Sequence, residues 1–151
     1  MGSDSRVEAL DLSDEATARR ALALQRASYR VEADLIGFDG IPPLHETYEE
    51  MISQPLRWIG VWDADQLVAA LAYALGGEHC DIDRRVVAPS HFGRGLASAL
   101  LESLFDYPRI TVSIATANHP ARCLYEKHGF QRVSEREIAP GITAARYERR
   151  A

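Results

Sequence analysis

At 151 residues the chain has room for one ordinary domain and too little for two, and its 46% apolar content can build a real core. Twenty-two acidic against 17 basic residues leave a net charge of −5 without any Lys/Arg run, which argues against a nucleic-acid surface and makes neutral or cationic partners the easier ones to hold. Cys80 and Cys123 are too far apart in sequence for a disulfide framework or metal cluster and read as reduced thiols of a cytoplasmic protein, while the polar start Met1 to Arg6 lacks a signal core and no stretch reaches membrane-spanning length.

Val7 to Leu10 reads as a short first strand, and Ser13-Asp14-Glu15 opens a helix with acidic residues in its first turn. Leu24, Ala27, Val31 and Leu35 fall on one face of that helix, which runs to Val31 or beyond. Gly37, Gly40, Pro42 and Pro43 then impose a loop whose apolar residues Ile36, Phe38, Ile41 and Leu44 either lid the core or wall a substrate site. Thr47 with Glu50 is a capping-box pattern, so a second helix starts there and stops before Pro55.

From Arg57 the period changes to that of strands. Trp58 to Trp62 is aromatic and β-branched, Asp63-Ala64-Asp65 turns, Gln66 to Leu75 is the next strand, Gly76-Gly77 turns again, and Glu78 to Val87 follows. In that last strand Glu78, Cys80 and Ile82 alternate with His79, Asp81 and Asp83 before it becomes apolar on both sides. Three strands on short connections make an antiparallel meander.

The stretch Val86 to Leu104 is a strand, loop and helix unit. Gly93 and Gly95 let the backbone take positive φ and a ligand approach closely, and the following helix, with Ala97, Leu100, Leu101 and Leu104 at helical spacing, offers its first N–H groups and dipole to an anion. A glycine pair can also make nothing more than a tight turn. No Gly-Lys-Ser/Thr follows, which disfavours a nucleotide-hydrolysing P-loop. Ile110 to Ile114 is a strand that the helical crossover sets parallel to its predecessor. Asn118 or His119 caps a short helix with Pro120 in its first turn and Gly129 at its end, and Phe130 to Ile138 with Ile142 to Glu148, hinged at Pro140-Gly141, close the chain as a hairpin. Without linkers or repeats, residues 1–151 read as one domain.

The Val87 to Leu101 unit, followed by Asn118-His119-Pro120-Ala121-Arg122-Cys123-Leu124-Tyr125-Glu126-Lys127-His128-Gly129-Phe130, resembles the GNAT superfamily of acetyl-CoA-dependent N-acetyltransferases. The resemblance covers Trp58 to Phe130 and implies an α/β (α+β) fold with a mixed, mostly antiparallel central sheet, flanked by helices and splayed between strands 4 and 5. Phe92, Gly93, Arg94, Gly95, Leu96 and Ala97 match the family loop whose main chain holds the CoA pyrophosphate. Phe92 departs from the polar residue usual at its place, and Arg94 offers a substitute charge. Val86 and Val87 match the strand that pairs with the pantetheine arm, with the Val87 N–H aimed at the thioester carbonyl. Asn118 matches a pantetheine contact.

Tyr125 matches the acid that protonates the leaving thiolate, for which a phenol, protonated at neutral pH, is suited. Asp81 falls at the general-base position of histone-type members, with Asp83 beside it on the same face to couple with it, and Glu32 and Glu78 in reserve. The histidines lack metal-ligand spacing: His79, His91, His119 and His128 read as surface or capping residues and His45 as a substrate contact. The implied reaction is direct acetyl transfer from acetyl-CoA to a primary amine of a small molecule or peptide, with no metal, nucleic acid or membrane. Alternatives are transfer of a larger acyl group, a non-amine acceptor, or a non-catalytic CoA-binding module. Homodimers are common among such domains, although nothing in the sequence demands one.

Overall fold

A computed structural model describes residues 6–151, so all but the last residue of the polar Met1 to Arg6 start lies outside the described residues. Strand β1 (Glu8–Leu10) leads to helix α1 (Glu15–Ile36), opened by Asp14, whose side chain accepts from Thr17 N at 3.1 Å, and closed by Gly37 at φ 69°. The loop read after it contains a four-residue helix, α2 (Pro42–His45), which Pro42 and Pro43 start because a first turn needs no N–H from them. Helix α3 (Tyr48–Ser53) carries the expected capping box, Thr47 and Glu50 satisfying each other's N–H at 2.9 and 3.1 Å.

Strands β2 (Arg57–Asp63), β3 (Gln66–Gly76) and β4 (His79–Val87) form the antiparallel meander. A 3₁₀ turn at Pro89–His91 precedes helix α4 (Leu96–Glu102); β5 (Arg109–Ala115), α5 (His119–Lys127), β6 (Gln131–Ala139) and β7 (Ile142–Arg150) complete the chain. Among the described residues seven strands lie in the order β1-β2-β3-β4-β5-β7-β6, and β4 against β5 is the parallel pair. The mixed, mostly antiparallel sheet expected from the sequence is therefore present. Among the described residues no helix is long and apolar enough to cross a membrane.

Two departures from the sequence reading shape the site. The buried side of α1 carries Ala18, Ala21, Gln25, Tyr29, Ala33 and Ile36, whereas Val31 and Leu35, at 39% and 52% exposure, face outward. The stripe of Leu24, Ala27, Val31 and Leu35 is thus only partly core. In β4 the pairing slips: Tyr73 faces Ile82 but Ala72 faces Arg84, so Asp83 is an extra residue in a bulge. Beyond it the alternation inverts. Asp81 shares its sheet face with Arg84, while Arg85 and Val87 share the face of Cys80 and Ile82. The expected pairing of Asp81 with Asp83 on one face is broken by this slip.

Ladder pairing between β4 and β5 stops at Ile82 and Val112, and the two strands diverge past that point. This is the expected splay. It is held open from one side by a buried polar knot: Arg84 Nη1 donates to Glu46 Oε1 at 2.5 Å and Gln25 Oε1 at 2.9 Å, and Gln25 Nε2 donates to Pro43 O at 2.7 Å. A guanidinium only 5% exposed needs such partners. The knot ties α1, the α2 segment and the β4 bulge into one rigid wall.

Candidate active site in the sheet opening

The glycine loop adopts the backbone its sequence requires. Gly93 and Gly95 have φ of 78° and 76°, and the space a Cβ would occupy at either is open, so positive φ explains both glycines and the surface above them is free for a ligand. Gly95 caps α4, whose first N–H groups have no acceptor within the helix. Phe92 is half exposed beside them and Arg94 is exposed.

From this loop a cleft of about 450 Å³ runs down to the splay, lined by Gly93, Gly95, Leu96, Ala97, Val87, Arg85 and Asn118 together with Ser28, Val31, Glu32 and Leu35 of α1. This accounts for the outward Val31 and Leu35: they are apolar because they wall the cleft, and a groove with apolar walls and few polar groups is the usual form of a ligand site. Arg94 and Val86 are not among its lining residues; Val86 is wholly buried in the ladder against Ala70. A second cavity continues through the splay. It is lined by Tyr29, Glu32, Ile82, Asp83, Arg85, Ser113, Asn118 and Tyr125, and it shares Glu32, Arg85 and Asn118 with the first.

The candidate groups line these two cavities. Val87 N–H turns away from β3, since the next N–H, of Ala88, is the one bonded to Val68 O, and it donates instead to Ser28 Oγ at 3.2 Å. Tyr125, 2% exposed, is fixed by an edge-to-face contact with Phe130 at 5.1 Å, and its hydroxyl accepts from Arg85 Nε at 3.3 Å. The phenol proton is then free for another acceptor. Asn118 is buried and accepts from Ala121 N through its side-chain oxygen as the N-cap of α5. Burial raises the Glu32 carboxyl above the ordinary carboxylate range, with Arg85 and the Asn118 amide acting in the opposite direction.

The remaining acidic candidates lie elsewhere. Asp81 accepts from Thr111 Oγ1 at 2.5 Å and lines neither cavity, Asp83 accepts from Arg84 Nε at 2.7 Å at the edge of the splay, and Glu78 is exposed in the β3 to β4 turn. Among the described residues no group of histidine, cysteine or acidic side chains could hold a metal. His79, His119 and His128 bond neighbouring side chains, and His91, at the rim of the first cleft, bonds Asp63 Oδ2 at 2.9 Å. His45 bonds Asp39 O at 2.6 Å, bracing the loop before α2. Ser28, Tyr29, Arg85 and Ser113 had no sequence signal of their own. The spacing of Ser28, Val31, Glu32 and Leu35 on one helical face was the signal available for the α1 side of the site.

Comparison with known proteins agrees with the fold. The profile described as the acetyltransferase (GNAT) family matches residues 21–130. The UPF0157 protein YqkA of Bacillus subtilis (strain 168) is 33% identical over 140 residues, covering 90% of this chain and 41% of that protein, so the chain spans well under half of its relative. Among solved structures, the ribosomal-protein-S18-alanine N-acetyltransferase of Escherichia coli superposes with a TM-score of 0.77 at 16% identity over 96% of this chain and 92% of that one. The PaiA N-acetyltransferase of Thermoplasma acidophilum, solved in complex with coenzyme A, gives 0.74 at 12% identity over 97% and 98%. At these identities the structures speak for the fold alone.

Proposed function

The chain belongs to the GNAT acetyltransferase family, and on that premise we propose that it transfers the acetyl group of acetyl-CoA to a primary amine by direct attack within the splay between β4 and β5. The observation that carries the reading is the junction itself, where a half-buried carboxylate, Glu32, lines both the glycine-lined cleft that holds an outward main-chain N–H and the splay cavity that holds a buried phenol. The positive-φ loop Phe92 to Ala97, with open space above both glycines, fits a pyrophosphate held by main-chain N–H groups. Val87 and Asn118 would meet the pantetheine arm, whereas Val86 is committed to the ladder against Ala70. Two unpaired cysteines fit the cytoplasm as the compartment.

An alkyl ammonium has no lone pair, so a base must act first. Glu32 is better placed than Asp81 for that task because it lines both cavities, whereas Asp81 lines neither. Its raised carboxyl also makes it a stronger proton acceptor than an ordinary glutamate once ionised. The freed amine nitrogen bonds to the thioester carbon and pushes the carbonyl electrons onto oxygen, where Val87 N–H receives the charge, an interaction worth about 3 kcal/mol in comparable sites. As the C–O double bond re-forms and the C–S bond breaks, Tyr125 gives its proton to the sulfur. Arg85, already on the phenol oxygen, offsets the charge the phenolate then carries, and the second proton lost by the nitrogen restores the phenol. The products are the N-acetylated amine and CoA thiol, with one proton released overall.

Release of free thiol from acetyl-CoA, followed across a panel of primary amines, tests this. Tyr125→Phe should lower kcat by roughly 100-fold or more while leaving the acetyl-CoA Kd, by calorimetry, close to wild type. Failure to bind CoA at all, or full activity of the variant, would overturn it.

A further inference from the structure

The splay cavity does not end at Ser113. That residue also lines a pocket walled by Ile36, Phe38, Ile41 and Ile138, and then a small one formed with Ser134, Arg136, Ala144 and Arg146. The register explains the grouping. Ser113 lies opposite Arg146 and Arg146 opposite Ser134, while Arg136 lies opposite Ala144 one same-face row on, so one face of β5, β7 and β6 carries two guanidinium groups and two hydroxyls side by side. Ala144 and Ala115 leave the room that larger residues would fill.

The charges of this open groove, whose far end lies on the exposed strand β6, are ordered along its length. Glu32 stands at the cofactor end and shares both the splay cavity and the apolar pocket. Glu137, in the apolar wall, already accepts Gly141 N–H at 3.2 Å. At the far end Arg136 has no ion pair or hydrogen bond among the described residues, and Arg146 has only a long contact of 3.9 Å to Asp81. Two guanidinium groups with side-chain hydroxyls beside them suit an oxyanion, which arginine holds through two parallel hydrogen bonds.

Resting on the acetyl-transfer reading above, we propose that the acceptor is a small amine whose apolar body ends in an anionic group, a carboxylate or phosphate, seated between Arg136 and Arg146. The amine lies by Glu32 and Ser113, and the apolar body along Ile36, Phe38 and Ile41. From β5 to β6 is two strand spacings, about 10 Å, and the arginine heads shorten that span by lining the same pocket as Ser113. A six-carbon amine matches it. A second cation at that end is repelled, so diamines are poor acceptors.

The test offers hexylamine, hexane-1,6-diamine, 6-aminohexanoate and 6-aminohexyl phosphate to the whole chain with acetyl-CoA. The anionic amines should exceed hexylamine in kcat/KM by about tenfold, the diamine should fall below it, and the better of the two anions identifies the headgroup. In the double variant Arg136→Gln, Arg146→Gln the ratio of anionic to neutral acceptor should collapse, with the fold checked by circular dichroism, and the corresponding double lysine variant should keep part of it. Preference for the diamine, or an unchanged ratio in the glutamine variant, would overturn the proposal. If no amine is acetylated, binding of 6-acetamidohexanoate against N-hexylacetamide is read instead. Tighter binding of the anion, lost in the glutamine variant, supports this site while the transfer reading fails; equal or absent binding overturns the site as well.

Discussion

The main-chain N–H of Val87 donates to the side-chain hydroxyl of Ser28 at 3.2 Å, so a residue of α1 occupies the donor that the proposed mechanism assigns to the thioester carbonyl. β4 turns that N–H toward the splay, where β5 has already diverged and offers it no carbonyl. A donor on a cleft wall with no ladder partner finds the nearest polar group, here from the helix that covers the opening.

Ser28 and the carbonyl therefore compete for one hydrogen. Ser28→Ala should tighten acetyl-CoA binding by about fivefold, the net worth of one neutral hydrogen bond, measured by calorimetry. Weaker binding would show that the hydroxyl holds the ligand and does not compete with it.

The Glu32 carboxyl, raised by burial, keeps its proton in the folded protein to higher pH than in the unfolded chain. The stability linked to that proton is complete below the unfolded value and is lost as pH rises through the folded one. Glu32→Gln removes the titration, so Tm of the wild type should decline relative to the variant as pH rises through that interval. Over the same interval wild-type kcat/KM should rise, because the proposed base is ionised Glu32, and that rising limb should vanish in the variant. A limb that survives in Glu32→Gln assigns the base to another group.

Arg84 and Glu46, with side chains 5% and 10% exposed, are the charged centre of the knot beside the splay. Glu46→Ala strands the guanidinium with only the half-exposed Asp83 as a charge partner and should cost about 3 kcal/mol, lowering Tm by roughly 10 °C. Since the same knot fixes the β4 bulge, the KM for the acceptor should rise in this variant more than that for acetyl-CoA.

The two thiols should behave differently. Cys80 is wholly buried in β4, where burial, with a smaller contribution from Asp81, pushes its pKa up to about 12, and Cys123 is exposed on α5. A disulfide-exchange reagent at mildly alkaline pH should therefore titrate Cys123 alone in the native protein and both thiols in guanidinium chloride. Rapid native reaction of Cys80 would mean that the pairing of β4 with β5 opens readily.

Much of this molecule is written locally in its sequence. Gly93 and Gly95 declare a positive-φ loop, Thr47 and Glu50 declare a cap, the apolar runs declare the strands, and the segment Asn118 to Phe130 carries both the cap and the phenol that lines the splay. Each of these depends on a backbone requirement or a periodicity within one short window, which residue types reveal by themselves. The tertiary structure alone decided which carboxylate lines both cavities. Asp83 as a bulge exists only because β3 pairs with β4 in a slipped register, and that slip sends Asp81 to Thr111 and Arg85 to Tyr125. Glu32 comes to the cleft because α1 lies over the opening, held there through Gln25 and Arg84, residues 59 positions apart. Such contacts depend on packing between distant segments, and no local pattern encodes them.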